Sequence, residues 1–223
     1  MSQVPVEQVP VEQLSPSQIV LLRGEAFVRW RGKLELPSGA KVSSRALSET
    51  LIEVAFLACA AQGVLELQVR PRKTLLGLWT VPVLFAEPQR TPVPWPRPTL
   101  EAWLAHLAAQ LRPEERHRVQ SLVYVLLREN SPNPWRRVVE EVQGGLVAMG
   151  ILERMEEQKK PAKRQRAQIA VAVEDSVASL PTGHVQALLR TCRLTSPQLW
   201  RLLRKEVSRG IGYRQKFSEQ RAT

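Results

Sequence analysis

The chain has 223 residues, 43% of them hydrophobic and 24% charged, too apolar for a mainly disordered protein and long enough to bury a core without disulfides or metals. Its formal net charge of +11 favours an anionic partner, whether acidic lipid, acidic protein or nucleic acid. No apolar run reaches the roughly 18 residues that span a bilayer; the longest candidate, Leu51 to Ala61, is interrupted by Glu53.

In chain order, residues 1–14 repeat Val-Pro-Val-Glu-Gln without the basic and apolar regions of a signal peptide, and predict a flexible, extended tail. Ser15-Pro16 is an N-cap followed by proline at the first helical position, opening a short helix to about Leu22. Phe27 to Leu36 reads as a strand with a turn or bulge at Gly32, and Pro37-Ser38-Gly39 as a turn. Ser43 or Ser44 caps a helix to Gln62. Its Leu47, Leu51, Val54, Ala55, Ala58 and Cys59 form one apolar stripe, widened by Ile52 and Phe56, which places it at the centre of the core. Gly63 stands where a left-handed cap is expected, and Val64 to Val69 alternates as a strand. Arg70 to Pro98 is rich in proline and tryptophan; apart from strand-like Trp79 to Phe85 it predicts a long surface loop.

Three helices come next, at 99–111, 113–128 and 134–149, the last with Asn133 as N-cap before Pro134. Ala148-Met149-Gly150-Ile151-Leu152-Glu153 then shares the pattern of Ala61-Gln62-Gly63-Val64-Leu65-Glu66. Twice, a helix stops at glycine and turns directly into a strand. A basic run, Lys159, Lys160, Lys163, Arg164 and Arg166 around Pro161, separates the strand begun at Ile151 from a second at Ile169 to Val173. Helices at 183–194 and 197–208 follow, and 209–223 is expected as a frayed basic tail. The predicted class is α+β, predominantly helical, with short strands and a β-hairpin carrying a basic loop, in one globular domain over 15–208.

Catalytic chemistry is missing from this pattern. His106, His117 and His184 lie singly with no metal-ligand spacing, and there is no phosphate-binding glycine loop, nucleophile elbow or Cys-x-x-Cys pair. No enzyme, cofactor or metal is therefore expected. Glu49 and Glu53, one helical turn apart, read as a solvated face or as partners of Arg45. Cys59 and Cys192 sit in apolar helical patterns and read as buried free thiols of a reducing, cytoplasmic compartment. The five cations of the basic run are the anion-binding candidates. Trp79 and Trp95 flank the proline-rich segment and are candidate membrane or partner anchors, while the other tryptophans read as packing residues.

Leu51-Ile52-Glu53-Val54-Ala55 leading into Ala61-Gln62-Gly63-Val64-Leu65-Glu66-Leu67 resembles the Golgi phosphoprotein family of phosphoinositide-binding peripheral membrane proteins and its bacterial relatives. Val142-Gln143-Gly144-Gly145-Leu146-Val147-Ala148-Met149-Gly150-Ile151-Leu152 is similar to that family's helix-to-strand turn. Leu180-Pro181-Thr182-Gly183-His184-Val185-Gln186-Ala187-Leu188-Leu189 looks like the helix that follows the hairpin in its bacterial members. The resemblance, over about residues 16–208, implies a mainly helical fold that attaches peripherally to membranes. The family's lipid-contacting tryptophan and arginine would fall near Ser43 and Ile52, so its phosphoinositide specificity is not implied here.

Three functional expectations result. The first is a cytoplasmic, non-enzymatic peripheral protein that docks on anionic lipid headgroups or an acidic protein through residues 159–166, anchored by Trp79 or Trp95. The alternative is nucleic-acid binding by a winged-helix-like part over 98–174, with Trp135, Arg136 and Arg137 opening recognition helix 134–149 and residues 153–173 as the wing. The third is an interaction scaffold whose Arg201, Arg204, Lys205 and Arg209 meet an acidic protein.

Overall fold

The computed structural model describes residues 13–29, 32–73, 79–96, 98–111, 117–128, 131–156, 165–169 and 177–219, and the fold is mixed α+β and predominantly helical. Helix α1 (Pro16–Leu22) opens with the predicted cap: Ser15 Oγ accepts from the Gln18 amide while the Gln18 side chain accepts from the Ser15 amide. Among the described residues, the predicted strand from Phe27 to Leu36 forms only near its end. The Val28 amide bonds back to the Gly24 carbonyl behind a 3-10 turn (Gly24–Ala26), so the chain curls here, and only β1 (Leu34–Glu35) pairs with β2 (Lys41–Val42).

Helix α2 (Ser44–Ala61) is the centre of the molecule, as its apolar pattern requires. Leu47, Leu51, Ile52, Val54, Ala55 and Phe56 are wholly buried. Around it pack α1, α3 (Leu100–Gln110), α5 (Pro134–Ala148), α6 (Gly183–Thr195) and α7 (Pro197–Glu219). Each buried Leu, Ile or Phe side chain contributes about 1.5–3 kcal/mol over its exposed state, so this one helix accounts for much of the hydrophobic drive.

After α2 the strands predicted at Val64 to Val69 and at Trp79 to Phe85 both form, and each runs on beyond its predicted end. Strands β3 (Leu65–Lys73) and β4 (Thr80–Pro88) form an antiparallel ribbon running from Leu65 opposite Pro88 to Lys73 opposite Thr80. Pro71 faces Pro82, a pairing tolerated because a two-stranded ribbon has two free edges on which no amide donor is needed. Helix α4 (Val119–Leu126) forms within the predicted span, whose first residues, 113–116, lie outside the described residues. His117 accepts from the Ala86 amide at 2.8 Å and Arg118 bridges Phe85, so both residues extend beside β4 before the helix can begin.

The two helix-to-strand turns are built alike. Gly63 and Gly150 have φ of 65° and 72°, the left-handed region that favours glycine. The Val64 amide bonds to the Cys59 carbonyl and the Ile151 amide to the Leu146 carbonyl, both at 2.9 Å, which closes each helix in the same way. The second turn feeds β5 (Leu152–Glu156), paired with β6 (Gln165–Ile169) from Leu152 opposite Ile169 to Glu156 opposite Gln165. Ile169 therefore does not open the second strand, which is already paired from Gln165 onward. Residues 170–173 lie outside the described residues.

The expected break after Ser208 is absent, and α7 runs on to Glu219. Extensive packing against α4 and its N-cap holds it. Ile211 is buried, Arg214 donates to the Tyr124 carbonyl at 2.8 Å with its guanidinium 3.7 Å from the Tyr124 ring centre, and Glu206, 1% exposed, accepts two bonds from Arg118 at 2.7 and 2.9 Å.

At Gly210 the two helices approach closely: a Cβ there would stand 2.7 Å from Val123 Cβ and 2.8 Å from the Gln120 carbonyl, whereas a Cβ at Gly212 meets open space. Gly210→Ala is therefore expected to destabilise the fold by about 1–3 kcal/mol, while Gly212→Ala stabilises it by about 1 kcal/mol. Chemical denaturation of both variants checks this, and equal effects at the two sites would contradict the close approach.

Candidate docking surface

The β3–β4 ribbon has a fixed base and an open distal half. At the base, Glu87 accepts from Arg70 Nη1 at 2.8 Å and meets His117 Nδ1 at 2.6 Å, and the other ring nitrogen of buried His117 lies 2.8 Å from the Leu111 carbonyl. The Arg70 guanidinium also stacks 5.2 Å from the Phe85 ring centre. The base is thus tied to the segment that follows α3. Farther out, Val69, Val81 and Trp79 are exposed, Trp79 at 72%, and Arg72 lies directly opposite Val81. Lys73 ends the first strand opposite Thr80, the residue after Trp79. The result is an exposed indole and two cations at the far end of a ribbon about 30 Å long.

The two predicted anchors therefore separate. Trp79 stands clear of the body, but Trp95 is partly buried against the core, in a groove with Val93, Ala102, Ala105 and His106 of α3. The pattern at Trp79 had a sequence signal. Arg72-Lys73 is followed by Thr74-Leu75-Leu76-Gly77-Leu78-Trp79, cations and then a run of large apolar residues between two alternating segments. Residues 74–78 themselves lie outside the described residues.

Of the predicted anion-binding residues, Lys159, Lys160, Lys163 and Arg164 lie outside the described residues. Arg166 is not in the loop but in β6, its backbone paired with Met155.

The predicted nucleic-acid contacts sit at the start of α5. Trp135 is half-buried against the core with the Arg45 guanidinium 4.9 Å from its ring centre, and its carbonyl accepts from Ser48 of α2. Arg136 pairs with Glu140 at 2.8 Å and Arg137 with Glu141 at 3.5 Å, each one turn farther on. The outer face of α5 therefore alternates in sign and offers phosphates as many repulsive as attractive groups.

Other polar groups serve the interior. Glu49 pairs with Arg45 at 3.3 Å, as predicted, but Glu53 is not on a solvated face. The α6–α7 corner packs across α2 and leaves Glu53 only 5% exposed, with Arg204 at 3.7 Å. Burial pushes its carboxyl from 4.5 up to about 8, with Arg204 acting against the rise and Glu49 adding to it. Burial also raises Glu101, whose carboxylate accepts from the Ser17 amide and hydroxyl at 2.7 and 2.8 Å. Cys59 is a buried free thiol and Cys192 a half-buried one; burial raises both. His106 and His184 lie on different helices, and among the described residues no His, Cys, Asp and Glu cluster could hold a metal ion. The cavity between α3, α4 and α5, lined by Leu100, Trp103, Leu126 and Val142, has room of about 40 Å³, enough for a water or two.

No family model, curated protein or solved structure matches the chain. Among the described residues, no helix is long and apolar enough to cross a membrane.

The Glu53 site has a consequence for stability. The native carboxyl keeps its proton up to about pH 8 while the unfolded one releases it near 4.5, so the native state binds more protons in between and stability falls as pH rises through that window. Glu53→Gln, neutral throughout, is expected to flatten that fall and to exceed the wild type in stability at its alkaline end. Denaturant melts across the window check this; parallel wild-type and variant curves would place the titration elsewhere.

Proposed function

We propose that this is a non-enzymatic peripheral binding protein that docks on anionic membrane lipid, with the distal half of the β3–β4 ribbon as the contact and Trp79 as its anchor. The observation that carries this reading is the 72% exposure of Trp79 within reach of Arg72 and Lys73. An indole is amphipathic and settles at the boundary between acyl chains and headgroups. Cations beside it gain on the order of 1 kcal/mol each near an acidic surface. The basic run at 159–166 adds charge of the same sign by its sequence. A ribbon fixed at its base can enter the interface without unfolding the body. Nucleic-acid recognition by α5 is the weaker reading, because the arginines that would meet phosphates are already matched by Glu140 and Glu141.

Sedimentation with neutral and with acidic phospholipid vesicles tests this. The wild-type chain is expected to bind the acidic vesicles. Trp79→Ala weakens binding about tenfold, as loss of a buried indole implies, and reversing Arg72 and Lys73 to glutamate removes the preference for acidic lipid. Trp79→Ala binding as well as the wild type would remove the ribbon from the proposal. A DNA mobility shift at low salt that is lost in Arg136→Glu/Arg137→Glu would reinstate the nucleic-acid reading.

A further inference from the structure

Residues 183–219 carry eight cations and two acids, the densest imbalance within the described helices. One of the two acids, Glu206, faces inward and is bound to Arg118. Elsewhere an exposed arginine on a helix has a glutamate one turn away, as in Arg45–Glu49, Arg136–Glu140 and Arg137–Glu141. On α6 and α7 that compensation is missing: exposed Arg190, Arg201, Lys205 and Arg209 have no acid partner among the described residues. Among the described carboxylates Arg204 meets that of Glu53, which is largely protonated at neutral pH and so leaves the arginine's charge in place.

These groups are also arranged in order. Arg201, Lys205, Arg209 and Tyr213 follow one another at four-residue spacing, a single ridge about 18 Å long with a step of about 6 Å. The Arg193 and Arg204 guanidiniums both lie over Trp200, at 4.8 and 5.9 Å from its ring centre, which joins the end of α6 to this ridge and holds two forks in place. Exposed apolar groups stand at the far end of this ridge and on α6 just before the turn into α7. Leu194, beside Arg193, is 70% exposed, and Tyr213 is 42% exposed.

We infer that the outward face of α6 and α7 is a docking surface for an acidic amphipathic helix of a partner protein, its carboxylates set against Arg201, Lys205 and Arg209 and its apolar residues against Leu194 and Tyr213. Carboxylates one helical turn apart repeat at the same step as this ridge, so two helices side by side match charge for charge. Exposed Leu and Tyr supply the apolar contacts that a protein interface needs and that a phosphate backbone cannot use. A strand of duplex DNA, moreover, winds away from a straight row of cations after a few phosphates. The inference is independent of the membrane reading, which rests on a different part of the fold.

The test uses the full chain and two synthetic amphipathic helices with leucine near each end, one with glutamate at one-turn spacing and one with glutamine in its place, followed by fluorescence anisotropy. The glutamate peptide is expected to bind and the glutamine peptide to bind at least about tenfold more weakly. Arg201→Glu/Lys205→Glu/Arg209→Glu lowers affinity for the glutamate peptide by a similar factor, and Leu194→Ala/Tyr213→Ala lowers it severalfold. Trp79→Ala leaves it unchanged, so failure of this inference and failure of the membrane reading are separable. Should the charge-reversed chain not fold by circular dichroism, the corresponding triple glutamine variant replaces it. No binding of the glutamate peptide, equal binding by the triple variant, or duplex DNA or acidic vesicles displacing the peptide through the same three cations would each overturn the inference.

Discussion

A helix of 18 residues whose side chains are apolar on nearly every face must be surrounded, and the packing of the molecule follows from that requirement on α2. Five other helices close around it, and each brings polar groups inward that need partners. Glu101 is met by the amide and hydroxyl of Ser17, and the Ser48 hydroxyl has the carbonyls of Ser44 and Trp135 within reach of its one hydrogen. Among the described residues, no buried side-chain nitrogen or oxygen lacks a hydrogen bond. The core is therefore apolar where it is largest and hydrogen-bonded at its seams.

The same enclosure shapes the surface charge. Glu53, Glu101 and Glu206 are all turned inward, and burial shifts the first two toward the neutral acid. Exposed Arg190, Arg201 and Arg209 on α6 and α7 pair with no carboxylate among the described residues. A chain that is already basic by composition becomes more so where it meets solvent, because part of its acidic complement is inside. On α5, where each arginine keeps a glutamate one turn away, the surface stays balanced.

The β3–β4 ribbon shows how a fixed base can carry an open end. Its inner half is joined to the body by Arg70, Glu87 and His117 and by the bridge from Phe85 to Arg118. Its outer half has solvent around Trp79 and Val81. The open edges of this outer half would invite further pairing, and Pro71 opposite Pro82 limits it by removing two amide donors there.

What depends on near neighbours in the chain could be read from the residues alone. The caps at Ser15, Ser43 and Asn133, the paired glycine turns at Gly63 and Gly150, and the central place of α2 are local patterns, and each is present. The class of fold follows from them. What depends on distant partners could not. The strand predicted at Phe27 curls because Gly24 captures its amide; residues 117 and 118 extend just ahead of α4 because β4, some thirty residues earlier, holds them; and α7 continues past Ser208 because α4 offers it Tyr124 and a seat for Gly210. The fates of Glu53, Trp79 and Trp95 were settled in the same way. Spacing places a side chain on a helix face or strand, but only the elements packed across it fix whether that face meets protein or water.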